Sequence, residues 1–433
     1  MTVLRDEGAN SGRSLVTDRR DFHKYAERAW CEVRTASLLA RRLADLGYTV
    51  NIGRDVVSVD RMGLPSDEEL AAEYERAITQ GADPEYAPRV AGGFAGVVGI
   101  LRSGRPGPVV ALRFDIDANQ GLESADPSHR PAALGFASVN DATHHSCGHD
   151  AHTAIGLAVA KEIAGRRERS GGEIRLIFQP AEEGLRGGPA MVKAGVVEGA
   201  DYFLGCHIGV QARRTGEIIA GYRNILGSIK FDARFTGRSA HAGISPHEGR
   251  NAIQAAAVAV QNLLAVSRHG DGETRVNIGR IAGGETRNAV PASALLCGEI
   301  RADSMEILRF LHEETRRVLE GAAGICGVDL SIDYVGGADA ASSDPDLADI
   351  VARVAEGEPE VTTVRTSAEF KGSDDASSFM NAVQARGGKA VYFGLGSDLA
   401  GVHHSPGFDI DEASLATGVR MFLGCLRRLE VLP

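Results

Sequence analysis

Four short apolar runs, Val109–Phe114, Ile174–Phe178, Tyr202–Cys206 and Ala390–Gly394, carry no polar alternation, and helical patterns lie between several of them. A strand with one wet face alternates, whereas a strand covered on both faces does not. These four are therefore expected to be the buried parallel strands of an open α/β sheet. The residues just beyond each run narrow the reading further. The first leads into Asp115 and Asp117, the second into Glu182 and Glu183, the third meets His207, and the fourth passes through a Gly-rich turn toward His403 and His404. Open parallel sheets place their sites beyond the carboxyl ends of the strands, so these groups converge for a topological reason alone.

Residues 223–336 break the pattern. Strands are expected at Ile229–Thr236, Thr274–Ile281, Ala294–Ala302 and Val328–Tyr334, with helices at Gly249–Val266 and Met305–Ala322. The order β-α-β-β-α-β is the split βαβ arrangement of a small ferredoxin-like α+β domain. Strand patterns resume after it, so it is expected as an insertion into a catalytic domain built from residues 15–222 and 337–433. A second insertion near residues 60–90 carries a capping box, Ser66-Asp67-Glu68-Glu69, opening a helix that runs to about Gln80.

A chain of 433 residues is too long for one ordinary core. Its net charge of −11 argues against nucleic acid, which asks for a basic footprint. No apolar run reaches the length of a membrane span, residues 1–20 lack a signal-peptide core, and residues 1–14 read as a frayed polar leader. The six cysteines have no framework spacing, so a reducing cytoplasm without disulfides is expected.

The chemistry is densest at His144–His152, where four imidazoles and the Cys147 thiol fall within nine residues. Gly148 lets Cys147 and His149 face one ion. A thiolate with imidazoles suits zinc, and added carboxylates shift the balance toward manganese or cobalt. The bland alternative is a buried Cys beside surface histidines. Adjacent residues such as Glu182 and Glu183 point different ways, so one can ligate while the other serves as a general base; an isolated Glu-Glu pair would be a solvated acidic turn. His207 at a strand end could equally be a satisfied core His. Of His403 and His404, one is expected to ligate and the other to support it. His241 could polarise a carbonyl, and Asn288 and Arg301 could hold a carboxylate; spacing alone leaves all three open to ordinary surface roles.

Four segments together, His145-Ser-Cys-Gly-His-Asp-Ala-His152, Gln179-Pro-Ala-Glu-Glu-Gly184, Ser239-Ala-His-Ala-Gly243 and Gly283-Gly-Glu-Thr-Arg-Asn-Ala-Val-Pro291, resemble one family. It comprises the dinuclear metallo-amidohydrolases and peptidases that include aminoacylases, hippurate hydrolase and auxin-conjugate hydrolases. The resemblance covers residues from about 20 to 430 in order. The Cys-Gly-His form is similar to the amidohydrolase branch, and the insertion with Arg61-Met-Gly-Leu-Pro65, Asp126-Pro-Ser-His-Arg-Pro131 and Gly135-Phe-Ala-Ser138 to its members acting on aminobenzoyl-glutamate.

The resemblance implies Cys147, His149, Glu183, His207 and His404 as ligands of two divalent ions, manganese or zinc, with Asp115 in support. It implies Glu182 as general base, His241 as carbonyl-polarising residue supplied across a dimer by the small lid and dimerisation domain, and Asn288 and Arg301 on the substrate carboxylate. His404-Ser-Pro-Gly-Phe408 fits the family's His-x-Pro-x-aromatic pattern. Two departures, Asn119 where Leu is usual and Ser373-Asp374-Asp375 where Ser-Glu-Asp is usual, bear on substrate fit. The expected reaction is hydrolysis of an N-acyl amino acid, foremost p-aminobenzoyl-glutamate, by a homodimer or a heteromer with a paralogous subunit. The rivals are a hippurate- or indoleacetyl-amino-acid hydrolase and a non-catalytic metal-binding subunit.

Overall fold

The computed structural model describes residues 15–433, so the expected leader at 1–14 lies outside the described residues. Two compact units emerge. One holds the described residues up to Arg223 with Ser342–Phe370 and Asp375–Pro433; the other holds Asn224–Ala341 and Lys371–Asp374.

The larger unit is built on an eight-stranded sheet. Its order across the sheet is Thr49–Ile52, Val97–Arg102, Glu173–Gln179, Val109–Asp115, Tyr202–Ile208, Lys389–Leu395, Glu217–Ile219 and Thr363–Arg365. The four strands expected from the apolar runs are its parallel centre. Antiparallel neighbours extend it on both sides, and these the apolar runs did not reveal. Alternate residues of Val109–Asp115 face opposite helix layers. Phe114 meets Phe422 of the helix Ser414–Arg428 at 4.9 Å between ring centroids. A Cβ on Gly156 would stand 2.6 Å from the Phe114 ring, so a glycine there lets the helix His149–Ala164 press onto the strand. Arg113 faces the other layer, where its guanidinium meets Asp375 at 3.2 Å, just before the helix Ala376–Gln384.

The smaller unit has the expected βαββαβ order. Its four strands form an antiparallel sheet in the order Thr274–Gly283, Ser293–Ala302, Gly227–Thr236, Asp329–Ala338. The helices Ala252–Leu264 and Met305–Cys326 bury Ala255, Ala259, Leu311 and Leu319 with Phe231, Phe235 and Leu296 in a separate core. The first helix starts at Ala252 rather than Gly249 because the Asn251 side chain caps it, accepting from the Gln254 N–H at 2.9 Å. The insertion helix spans Asp67–Thr79 with the expected capping box formed by Ser66 and Glu69. Among the described residues no helix is long and apolar enough to cross a membrane.

Candidate metal centre and active site

Parallel register brings the strand ends to one edge. Asp115 lies opposite Gln179, and His207 opposite Gly394, so the loops beyond them leave the sheet together. Their backbones are tightly bent. Gly148 adopts φ 89°, and a Cβ there would run into Ile208; this turn makes His149 the first residue of its helix. Ala181, Leu185 and His404 have φ of 52°, 62° and 64°. Non-glycine residues in this region cost about 1–3 kcal/mol each and concentrate where function over-determines the backbone. The His404 N–H bonds the Ser146 carbonyl at 2.8 Å, tying the C-terminal loop to the Cys147 loop.

Four overlapping groups result in the larger unit: Cys147, His149 and His207; Cys147, Glu183 and His404; His149, Glu182 and Glu183; and Asp115, His149 and His152. Within each group the ligand-type atoms all lie within 4.8 Å of one another. Hydrogen bonds set which imidazole nitrogens face inward. His207 donates from Nδ1 to the Ile208 carbonyl at 2.9 Å, which leaves the Nε2 lone pair 3.5 Å from Cys147 Sγ. His149 Nδ1 is held by the carbonyl and the carboxylate of Asp117 at 3.0 and 3.2 Å, while its buried Nε2 has no hydrogen-bond partner. His152 accepts the Ile208 N–H on Nε2 at 3.0 Å and donates from Nδ1 to Asp115 at 2.5 Å. Both its nitrogens are occupied, so it supports the cluster without facing it. The two adjacent C-terminal histidines also part. His403 Nε2 bonds the Ile208 carbonyl at 3.1 Å, whereas His404 Nε2 stands 3.4 Å from Glu183 Oε1.

The charges in this cluster conflict when left to themselves. Burial and the neighbouring Glu183 push the Cys147 thiol well above its ordinary range, and burial with Glu183 raises Asp117. Burial opposes the charge of Glu183 as well, yet His404 and His149 draw it down to about 2. Burial and the imidazoles of His152 and His403 hold His207 well below its ordinary value, hence neutral. A neutral imidazole, a thiol that needs a cation to ionise, a carboxylate and an orphaned buried ring nitrogen make a donor set that fits divalent cations. Two of the three-residue groups share Cys147, which suits a pair of ions.

A supporting layer lies behind these groups. Asp115 is buried, which disfavours its charge, but Arg113, His149 and His152 hold it well below the usual carboxylate range. Arg113 reaches Asp115 and Gln179 at 2.7 Å each. Beside Asp115, the residue expected in support, stands Asp117, whose second oxygen accepts the Glu183 N–H at 2.8 Å. The buried Glu32 accepts the Ala181 N–H at 2.7 Å. Asp117 could have been chosen from the Asp-x-Asp ending of its strand. Glu32 gives no signal, because nothing in sequence links it to residue 181.

On the smaller unit His241 is exposed, and its Nδ1 accepts the N–H groups of Gly243 and Ile244 at 3.1 Å each. A neutral ring therefore carries its proton on Nε2, as an outward donor. The Ala242 N–H bonds the Asn288 carbonyl at 3.0 Å, and Thr286 donates to Asn288 Oδ1 at 2.8 Å. Arg301 is forked onto Glu299, with both bonds at 3.0 Å, and its remaining edge meets Ser373 at 3.4 Å.

Residues 111–428 match Peptidase family M20/M25/M40. The chain belongs to that family. It is 45% identical over 406 residues to the A subunit of p-aminobenzoyl-glutamate hydrolase of Escherichia coli strain K12, covering 93% of this chain and 92% of that one. It is 44% identical, with the same coverage, to indole-3-acetyl-aspartic acid hydrolase of Enterobacter agglomerans. The crystal structure of an aminobenzoyl-glutamate utilization protein from Klebsiella pneumoniae superposes with a TM-score of 0.84 at 40% identity, covering 97% of each chain. This M20 member is a hydrolase of the amidohydrolase kind, as its motifs led one to expect.

Proposed function

We propose that this chain hydrolyses the amide bond of an N-acyl amino acid, foremost p-aminobenzoyl-glutamate, with two divalent cations held by Cys147, His149, Glu183, His207 and His404. The observation that carries the reading is the pair of donor groups sharing Cys147, with Glu182 left over from the proposed ligand set at their margin. When bound, the cations would supply Lewis acidity, easing ionisation of water and polarising the scissile carbonyl. Glu182 takes the proton of the attacking water and later delivers it to the leaving nitrogen. One C–O bond forms, the C–N bond breaks, and the products are a carboxylic acid and an amine. His241, through Nε2–H, bonds the carbonyl oxygen as negative charge develops there. Asn288 and the edge of Arg301 not occupied by Glu299 hold the α-carboxylate.

The near-equal identity to the indoleacetyl-aspartate hydrolase supports a second acyl group, indoleacetyl, on the same machinery. We further propose assembly with a second copy or a homologous chain, since two relatives are named as one subunit of such a hydrolase or its homolog. The six cysteines, which form no disulfide among the described residues, support a cytoplasmic setting. The test is Glu182→Gln. It should keep metal content and fold while turnover of aminobenzoyl-glutamate drops by about 10²–10⁴. Near-normal turnover by the fully metallated variant refutes the assignment of the base.

A further inference from the structure

A substrate with two carboxylates approaching a protein of net charge −11 needs local positive charge. Arg301 is largely spent on Glu299. The insertion offers another cation. The Arg61 guanidinium lies 3.5 Å from the Phe94 ring centroid and 5.7 Å from that of Trp30. Arg54 stacks on the same Phe94 ring at 4.0 Å. Among the described residues neither arginine forms an ion pair. The acids of this stretch are engaged elsewhere, Asp55 with Arg89 at 4.0 Å and Asp60 with Lys193 at 2.6 Å. Burial and the like charge of Arg54 push Arg61 down to about 10. Stacking compensates part of this repulsion, but two guanidiniums gathered on one ring without an acid form a site awaiting an anion.

The position suits the reaction. Ile52 lies opposite Val97, and Val97 opposite Phe178. The segments carrying Arg54 and Phe94 therefore leave the sheet at the edge from which Glu182 and Glu183 emerge. Arg186, three residues past Glu183, donates to the Gly63 carbonyl at 3.0 Å, joining the Arg61 segment to that loop. Trp30 Nε1–H bonds the Met62 carbonyl at 3.0 Å, and Arg61 Nη1 bonds the carbonyls of Gly92 (3.0 Å) and Gly93. Arg61 is thus pre-positioned, with its buried Nε without a partner.

We propose that Arg61, assisted by Arg54, forms the subsite that takes the side-chain carboxylate of an N-acyl glutamate or aspartate. This rests on the reading of the chain as an N-acyl amino acid hydrolase and adds the selectivity for acidic amino acids. Guanidinium is suited to the task because its planar donors match a carboxylate and it stays charged when half-buried.

The experiment compares p-aminobenzoyl-glutamate with p-aminobenzoyl-glutamine, equal in shape but neutral at the side chain, on the metal-loaded full chain. Wild type should favour glutamate by about tenfold to a hundredfold in kcat/KM, the span of one charge-assisted hydrogen bond. Arg61→Gln should abolish most of that preference by raising KM for glutamate alone. Arg61→Lys, which preserves charge and stacking bulk, should retain part of it, and Arg54→Gln should lower it less. Equal losses on both substrates in Arg61→Gln and Arg61→Lys mean that the stack is only structural and overturn the subsite. Glutarate changing turnover of both substrates without competing with either would assign the cation pair to a free anion outside the substrate site and also overturn it. If wild type cleaves N-acyl amino acids without regard to side-chain charge, the subsite falls while the hydrolase reading stands. If it cleaves none, the hydrolase reading falls, and calorimetric binding decides the subsite: equal affinity for both compounds in wild type overturns it.

Discussion

Asp117→Asn isolates the layer behind the proposed ligands. The fully buried carboxylate works in two directions, one oxygen 3.2 Å from His149 Nδ1 and the other accepting the Glu183 N–H at 2.8 Å. Asparagine has one acceptor and one donor end, so it cannot serve both. Facing its NH2 toward Glu183 leaves a buried N–H without an acceptor, a loss of about 1–3 kcal/mol. The flipped amide instead offers a donor to His149 Nδ1 and favours the tautomer with the proton on Nε2, the nitrogen needed for a metal. The Asp117 backbone carbonyl, 3.0 Å from Nδ1, still resists that tautomer. The loss of metal affinity should therefore sit near the lower end of the range for such supporting residues, about tenfold of a possible tenfold to hundredfold. In the metal-free protein the sign is different. Burial and Glu183 already disfavour the Asp117 charge, so removing it offsets the orphaned N–H and the melting temperature should barely move. Competition against a chromogenic chelator measures the affinity, and thermal melts with and without metal separate the two states. Affinity within about twofold of wild type, or equal destabilisation of both states, would refute the argument.

Cys147→Ser and His149→Ala should each reduce bound metal and abolish turnover, since one removes a soft anionic donor and the other the buried Nε2; full occupancy by elemental analysis with Cys147 replaced would return that thiol to a mere buried side chain. Mixing Glu182→Gln with His241→Ala full-length chains at equal ratio should restore about a quarter of normal activity if His241 serves a partner's site in a symmetric dimer, and none despite demonstrated exchange if it serves its own. His23 lies between Asp150 and Glu123 at 2.8 Å each. Burial lowers its pKa, but the two carboxylates outweigh it and raise the folded value above 6.5. Its stabilising contribution is thus full below pH 6.5 and lost as pH climbs through the raised folded value. Wild type minus His23→Gln stability, from urea melts, should shrink over that window; a gap independent of pH contradicts the ion-pair account.

The central sheet was legible because burial on both faces erases polar alternation, and Val109–Asp115 and the three other strands of the parallel centre carry that signature in their residues. The edge strands escaped because Thr49–Ile52 and Thr363–Arg365 are too short to show a period. The candidate donors could be chosen from the sequence since thiol, imidazole and carboxylate chemistry is fixed by residue type, and their convergence follows from the parallel connection. Which nitrogen of each histidine faces inward was not legible. His152 and His207 are alike as residues, yet the backbone of the single residue Ile208 occupies one nitrogen of each, donating its N–H to His152 Nε2 and accepting from His207 Nδ1 on its carbonyl. The separation of His403 from His404 likewise depends on a left-handed backbone at residue 404 and a bond to Ser146, a contact across more than 250 positions. Residue identity determines what a side chain can do; hydrogen-bond partners, backbone handedness and neighbouring charge arise only when distant segments meet, and they decide which of those things it does.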